Sequence, residues 1–120
     1  MADGAPAAAP ELAGPSRARV AHSGYLVKQG HLLKSWKRRF FVLQAKNVFY
    51  YESAREDISG VSGVDLKGAI TLTGWRESAE RPRCLELSGM PKALLVQADD
   101  DEALEAWRRA LAAALAPPAQ

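Results

Sequence analysis

The residues that stand out for their chemistry are cations. Lys28, Lys34, Lys37, Arg38 and Arg39 lie close together in the stretch KQGHLLKSWKRRF. In an extended strand, side chains two residues apart share a face. Lys37 and Arg39 therefore project together, and Arg38 projects to the other side. A hairpin turning through Gly30–Ser35 brings Lys28 beside that pair, and Lys34 reaches in from the loop. Cations gathered on one spot repel one another unless an anion joins them. Arginine offers a planar fork to a phosphate and lysine a point charge. A ligand with several phosphates is the natural match.

The wider charge pattern agrees. The net charge is only +2, yet no Asp or Glu occurs from Leu12 to Tyr51, a stretch that carries eight Lys and Arg side chains. The rest of the chain holds the other eight basic and all 14 acidic residues. Such a one-sided field draws phosphate, an anionic membrane or nucleic acid. Phe40, Phe49 and Tyr50 offer stacking surfaces for bases, but the basic patch is narrow and nucleic acid is not expected. No nucleophile–base signature, Walker run or G-x-G-x-x-G is present, so no catalytic residue and no enzyme are expected. One cysteine, Cys84, and two histidines, His22 and His31, leave no expected metal site and no cofactor.

The elements that must position these cations follow from pattern and punctuation. The chain has 120 residues, 48% hydrophobic and 25% charged, which suits one globular domain. Residues 1–19 read as a disordered Ala/Pro-rich leader, residues 20–116 as the domain, and residues 117–120 as a tail. Alternation predicts strands over Ser23–Gln29, Trp36–Gln44, Val48–Glu52, Val64–Leu66, Ala69–Trp75, Cys84–Leu87 and Leu94–Ala98. Asn47 is the expected positive-φ residue of the second turn. The period then changes. Leu104, Trp107, Leu111 and Leu115 recur at three and four, predicting a helix over Asp99–Ala116. Asp99 is the expected N-cap, with Glu102 completing a capping box. Closely spaced strands with no helix between them argue for a sandwich or barrel, with Trp107 covering an open end.

The order of G-Y-L-V-K-Q-G, S-W-K-R-R-F-F-V-L, V-F-Y-Y-E and a final helix bearing Trp107 resembles a pleckstrin homology (PH) domain. The likeness covers about residues 23–115. It implies an all-β fold with one helix: a seven-stranded, partly open barrel of two antiparallel sheets capped by a C-terminal α-helix. Lys28 followed by Lys37-Arg38-Arg39 is similar to the pattern of members that bind 3-phosphorylated inositides. By that resemblance Lys28 and Arg39 bridge ring phosphates, Lys37 adds a cation, Tyr51 a hydroxyl, and Lys34 matches a loop position that is often basic. Strong binders often carry a basic residue just before the glycine of the fourth strand. Here Ser62 precedes Gly63, a departure from that pattern.

His31, Leu32 and Leu33 at the loop tip, with Arg38, are the expected membrane contacts. The expected function is a non-catalytic, monomeric module that binds phosphoinositide headgroups at an anionic membrane. The alternative is a protein-interaction adaptor with weak, nonspecific anionic-lipid binding. The longest apolar run is far short of a membrane span. The start lacks the basic and apolar blocks of a signal peptide. A cytoplasmic chain recruited peripherally to membranes is the expectation.

Overall fold

A computed structural model describes residues 19–30, 35–53 and 66–117. His31, Leu32, Leu33 and Lys34 lie outside the described residues, as do the leader up to residue 18 and the segment 54–65. Six strands precede one helix: β1 (His22–Gln29), β2 (Trp36–Gln44), β3 (Asn47–Tyr51), β4 (Leu66–Ser78), β5 (Cys84–Met90), β6 (Leu94–Gln97) and α1 (Asp101–Leu115). Each strand pairs antiparallel with the next. The barrel closes where β1 meets β6 through Val27↔Gln97 and Lys28↔Val96.

Six strands rather than seven stand among the described residues: Val64 and Asp65 of the expected strand Val64–Leu66 lie outside them, and Leu66 opens the strand that also contains the expected Ala69–Trp75. β4 is 13 residues long. Its first half pairs with β3 as far as Thr71, and the remainder pairs with β5. The register shifts between Leu72 and Gly74. An irregularity of this kind lets one strand turn a corner and serve two sheets. Ile70 and Leu72 before the corner and Trp75 after it all contact the core, so hydrophobic alternation alone hides the bend.

Alternation sorts the side chains into two clusters. Leu26, Phe41, Leu43, Ile70, Leu72 and Leu85 fill the barrel, sealed at one end by Trp107 and Leu111 of α1. The opposite face of β2 and β3 carries a smaller cluster of Val42, Phe49 and Tyr51, covered by Val20, Phe40, Leu66 and Ala69. Burial of Trp107 and Leu111, four residues apart, fixes the helix on the barrel.

Two local expectations need correction. The N-cap is Asp100, whose carboxylate accepts from the Ala103 N–H at 2.7 Å. Asp99 is instead held by Arg38, with Nη1 and Oδ2 2.8 Å apart. In the β2–β3 turn the left-handed residue is Ala45, φ 54°, while Asn47 is already in the β3 ladder.

Candidate functional site: a basic mouth between β1, β2 and the β5–β6 hairpin

Strand register decides which cations meet. Lys28 stands directly opposite Lys37, and Leu26 opposite Arg39. Leu26 is buried in the barrel, so its neighbours on the same face point to the barrel interior. Toward the ends of β1 and β2 that interior opens, and Lys28, Lys37 and Arg39 occupy the opening. The expected convergence of these three is what the backbone produces. Gly30 N–H donates to Ser35 O at 2.5 Å, closing the base of the loop that carries Lys34.

Arg38 faces the other way, as the alternation requires. Its guanidinium ion-pairs with Asp99 and lies 4.5 Å from the Tyr25 ring centroid. It joins β2 to the segment leading into α1. Trp36 is likewise occupied, with the Arg81 guanidinium 4.2 Å above its ring.

Tyr51 is not brought to the group. It pairs with Phe40, belongs to the outer cluster and is 1% exposed. Its hydroxyl is buried without a hydrogen-bond partner, and burial pushes its pKa up to about 12. The aromatic at the mouth is Tyr50, one residue earlier and so on the opposite face. Lys28 Nζ lies 5.0 Å from its ring centroid, a cation–π distance. Gly68 stands opposite Tyr50, and a Cβ there collides with the Tyr50 ring and hydroxyl. The glycine leaves the room in which Tyr50 lies beneath Lys28.

Two further cations, Lys67 and Lys92, lie in β4 and the β5–β6 hairpin. Lys92, on the β5–β6 hairpin, lines a depression of about 300 Å³ with Lys28, Gln29, Gly30 and Glu86. The depression opens where β1 and β6 part beyond the Lys28–Val96 pair. In sequence, Pro91 and Gly89 around Lys92 signal only a turn. Lys67 immediately precedes Gly68 in β4, while Ser62 and Gly63 lie outside the described residues. Lys67 Nζ sits 3.6 Å from Glu52.

Electrostatics mark Lys28 as the centre. Partial burial lowers its pKa first, and the positive charges of Lys92 and Arg39 lower it further. Its ammonium donates to Gln29 O at 3.2 Å, and Arg39 Nη1 donates to Arg38 O at 3.1 Å. Lys28, Lys37, Arg39 and Lys92 form no ion pair with any acid among the described residues. Glu86, on the wall of the depression, is engaged by Arg76 at 2.6 Å. The arrangement suits a compact polyanion that offers oxygens in several directions. Among the described residues no group of three His, Cys, Asp or Glu can hold a metal ion.

The family model for the PH domain matches residues 20–116. The chain belongs to the PH domain family. Over 105 residues this PH domain is 34% identical to pleckstrin homology domain-containing family A member 2 of Bos taurus, covering 85% of this chain and 25% of the relative. Over 91 residues it is 30% identical to pleckstrin homology domain-containing protein 1 of Arabidopsis thaliana, covering 71% of this chain and 61% of the relative. The chain thus spans about a quarter of the first relative and under two thirds of the second. Among solved structures, the C-terminal PH domain of pleckstrin in complex with D-myo-Ins(1,2,3,5,6)P5 aligns with a TM-score of 0.64 at 27% identity, covering 81% of this chain and 96% of that one.

Proposed function

We propose that this PH domain is a non-catalytic membrane-targeting module that grips phosphoinositide headgroups at the mouth formed by Lys28, Lys37, Arg39 and Lys92. The observation that carries the reading is the convergence of these cations with no carboxylate neutralising them among the described residues. A bound inositol pentakisphosphate in the pleckstrin PH domain supports it, as a polyphosphorylated ring held by the same fold. Lys28 and Arg39 are the central phosphate ligands, Lys37 and Lys92 flank them, and Lys34, outside the described residues, is a further candidate cation. Charge-assisted hydrogen bonds contribute about 1.5–3 kcal/mol each, so two or three suffice for selective recruitment. The finer part of the proposal is a preference for 3-phosphorylated inositides, PIP3 or PI(3,4)P2, which rests on the K-x-R spacing of Lys37 and Arg39. No helix among the described residues is long and apolar enough to cross a membrane, and attachment is peripheral in this reading.

The test is co-sedimentation with vesicles carrying each inositide isomer at near-physiological salt, with Arg39→Ala and Lys28→Ala alongside. Selective binding lost in both variants is the expected result. Equal, salt-sensitive binding of all anionic vesicles, unchanged in both variants, would sink the pocket and leave nonspecific adsorption or a protein partner.

A further inference from the structure

A hydroxyl stands beside the cations of the mouth. The bond from Gly30 N–H to Ser35 O extends the β1–β2 ladder one step past Gln29↔Trp36. Alternation therefore puts Ser35 on the face of Lys37 and, across the hairpin, of Lys28. The side chain follows the backbone. A Cβ placed on Gly30 would lie 3.5 Å from Ser35 Oγ, and Gly30 lines the same depression as Lys28 and Lys92. Ser35 is exposed and belongs to no strand. Ser23, on β1, falls on the opposite face with Tyr25. Trp36-Lys37-Arg38-Arg39 follow Ser35 in the chain. The hydroxyl is thus presented just ahead of three consecutive cations, which an enzyme with an acidic substrate groove can hold.

We propose that Ser35 is a phosphorylation site, and that its phosphate turns onto Lys28 and Lys37 to fill the mouth and exclude the lipid headgroup. The inference rests on the headgroup reading, because it gives the same cations a competing anion. In the transfer, Ser35 Oγ attacks the γ-phosphorus of ATP bound to a protein kinase. The Oγ–P bond forms as the bond from that phosphorus to the β,γ-bridging oxygen breaks. ADP leaves with the electron pair, and the hydroxyl proton passes to a base of the kinase. The product carries close to two negative charges at neutral pH and three strong acceptor oxygens. Lys37 lies two residues along the strand from Ser35 and Lys28 on the diagonal, each about 7 Å away between backbones. A lysine side chain and a phosphoserine together span that gap. Lys28, disfavoured by burial and by the charges of Lys92 and Arg39, gains a counter-ion.

The experiment compares the full chain carrying phosphoserine at position 35 with the unmodified chain. The readouts are binding to phosphatidylcholine–phosphatidylserine vesicles containing PIP3 and thermal unfolding without lipid. Phosphorylation is expected to weaken vesicle binding about tenfold to a hundredfold and to raise Tm by about two to four degrees. Opposite signs in the two readouts mark an anion held in the mouth. Lost binding with a lowered Tm overturns the inference, since the phosphate then disrupts the hairpin. Unchanged binding overturns it while the headgroup site stands. Ser35→Glu and Thr71→Glu separate position from net charge, Thr71 being exposed on the outer face of β4. The first is expected to weaken binding about tenfold and the second by less than about threefold. Equal losses overturn the inference. Incubation of the folded chain with MgATP and a panel of basophilic serine/threonine kinases is expected to place phosphate on Ser35, read by peptide mass mapping and absent in Ser35→Ala. No phosphate on Ser35 with any of them overturns the assignment. Failure of the unmodified chain to bind the vesicles removes the headgroup reading, and the inference falls with it.

Discussion

Two groups of cations in this PH domain have opposite surroundings. Over the outer surface and the helix, Arg38, Arg76, Arg108 and Arg109 each lie within 4.0 Å of a carboxylate: Asp99, Glu86, Glu77 and Glu105 respectively. At the mouth, Lys28, Lys37, Arg39 and Lys92 pair with no acid among the described residues, and Lys28 is held partly out of water beside two of the others. Exposed ion pairs contribute roughly 0–1 kcal/mol each, so the outer cations are modest fasteners. The mouth keeps a repulsion that a purely structural surface has no reason to keep. Adjacent residues of one strand, Arg38 and Arg39, fall on opposite sides of this divide. Their contrast is the sharpest available test of it.

Arg39→Ala is expected to weaken binding to inositide vesicles by about tenfold to a hundredfold, the loss of one charge-assisted contact, with Lys28→Ala close to it. Arg38→Ala is expected to change that affinity by less than about twofold and to lower stability by under about 1 kcal/mol, as for other exposed pairs. Titration of vesicles and thermal unfolding of the three variants check both halves. If Arg38→Ala costs as much affinity as Arg39→Ala, the division by strand face is wrong and the whole β2 segment is one electrostatic surface.

Much of this is legible in the sequence. Strand alternation alone separates Lys37 and Arg39 from Arg38, and one loop brings Lys28 to the pair. What stayed hidden depends on register, which a sequence states poorly. Tyr50 and Tyr51 are chemically alike and adjacent, and only the pairing of β3 with β2 decides which one lies under Lys28. Lys67 is recognisable only once β4 is known to begin at Leu66. Lys92 reaches the mouth through the closure of β1 on β6, a contact between residues far apart in the chain. The helix cap moved by one position because Asp99 has a distant partner in Arg38.

The glycine opposite Tyr50 offers a way to disturb the mouth without touching a cation. In Gly68→Ala the new methyl group meets the Tyr50 ring. Overpacking of this kind costs typically about 1–3 kcal/mol. The ring that supports Lys28 is displaced at the same time, so headgroup affinity is expected to fall along with Tm. Tyr51→Phe is the matched control on the outer face. It removes a buried hydroxyl that has no hydrogen-bond partner. It is expected to leave headgroup binding unchanged and stability unaltered or raised by up to about 1 kcal/mol. Loss of binding in Tyr51→Phe, measured by calorimetry with soluble inositol phosphate, would return that hydroxyl to the site.

The smallest expected effect contrasts the mouth with the capped end of the barrel through two groups whose pKa values are lowered for different reasons. Burial comes first for Lys28, but two neighbouring cations add to it. For His22, packed edge-on against Trp107 with ring centroids 4.4 Å apart, burial alone is the cause. In each case the unfolded chain binds more protons than the folded one across the window between the two pKa values. Stability therefore rises with pH inside that window. For Lys28 the window lies below 10.5, so at neutral pH its charge is a standing penalty on the ligand-free fold. Lys28→Met is expected to raise Tm by about one to two degrees, as solvent screens most of the repulsion, while weakening binding as much as Lys28→Ala does. For His22 the window lies below 6.5. Tm is expected to decline as pH falls from 6.5 toward the lowered folded value, and His22→Gln to remove that part of the decline. Polyphosphate added to the protein is expected to shift Tm upward through Lys28 without altering the His22 limb. A ligand that flattened the acid limb in wild type would show that the two ends of the barrel are coupled.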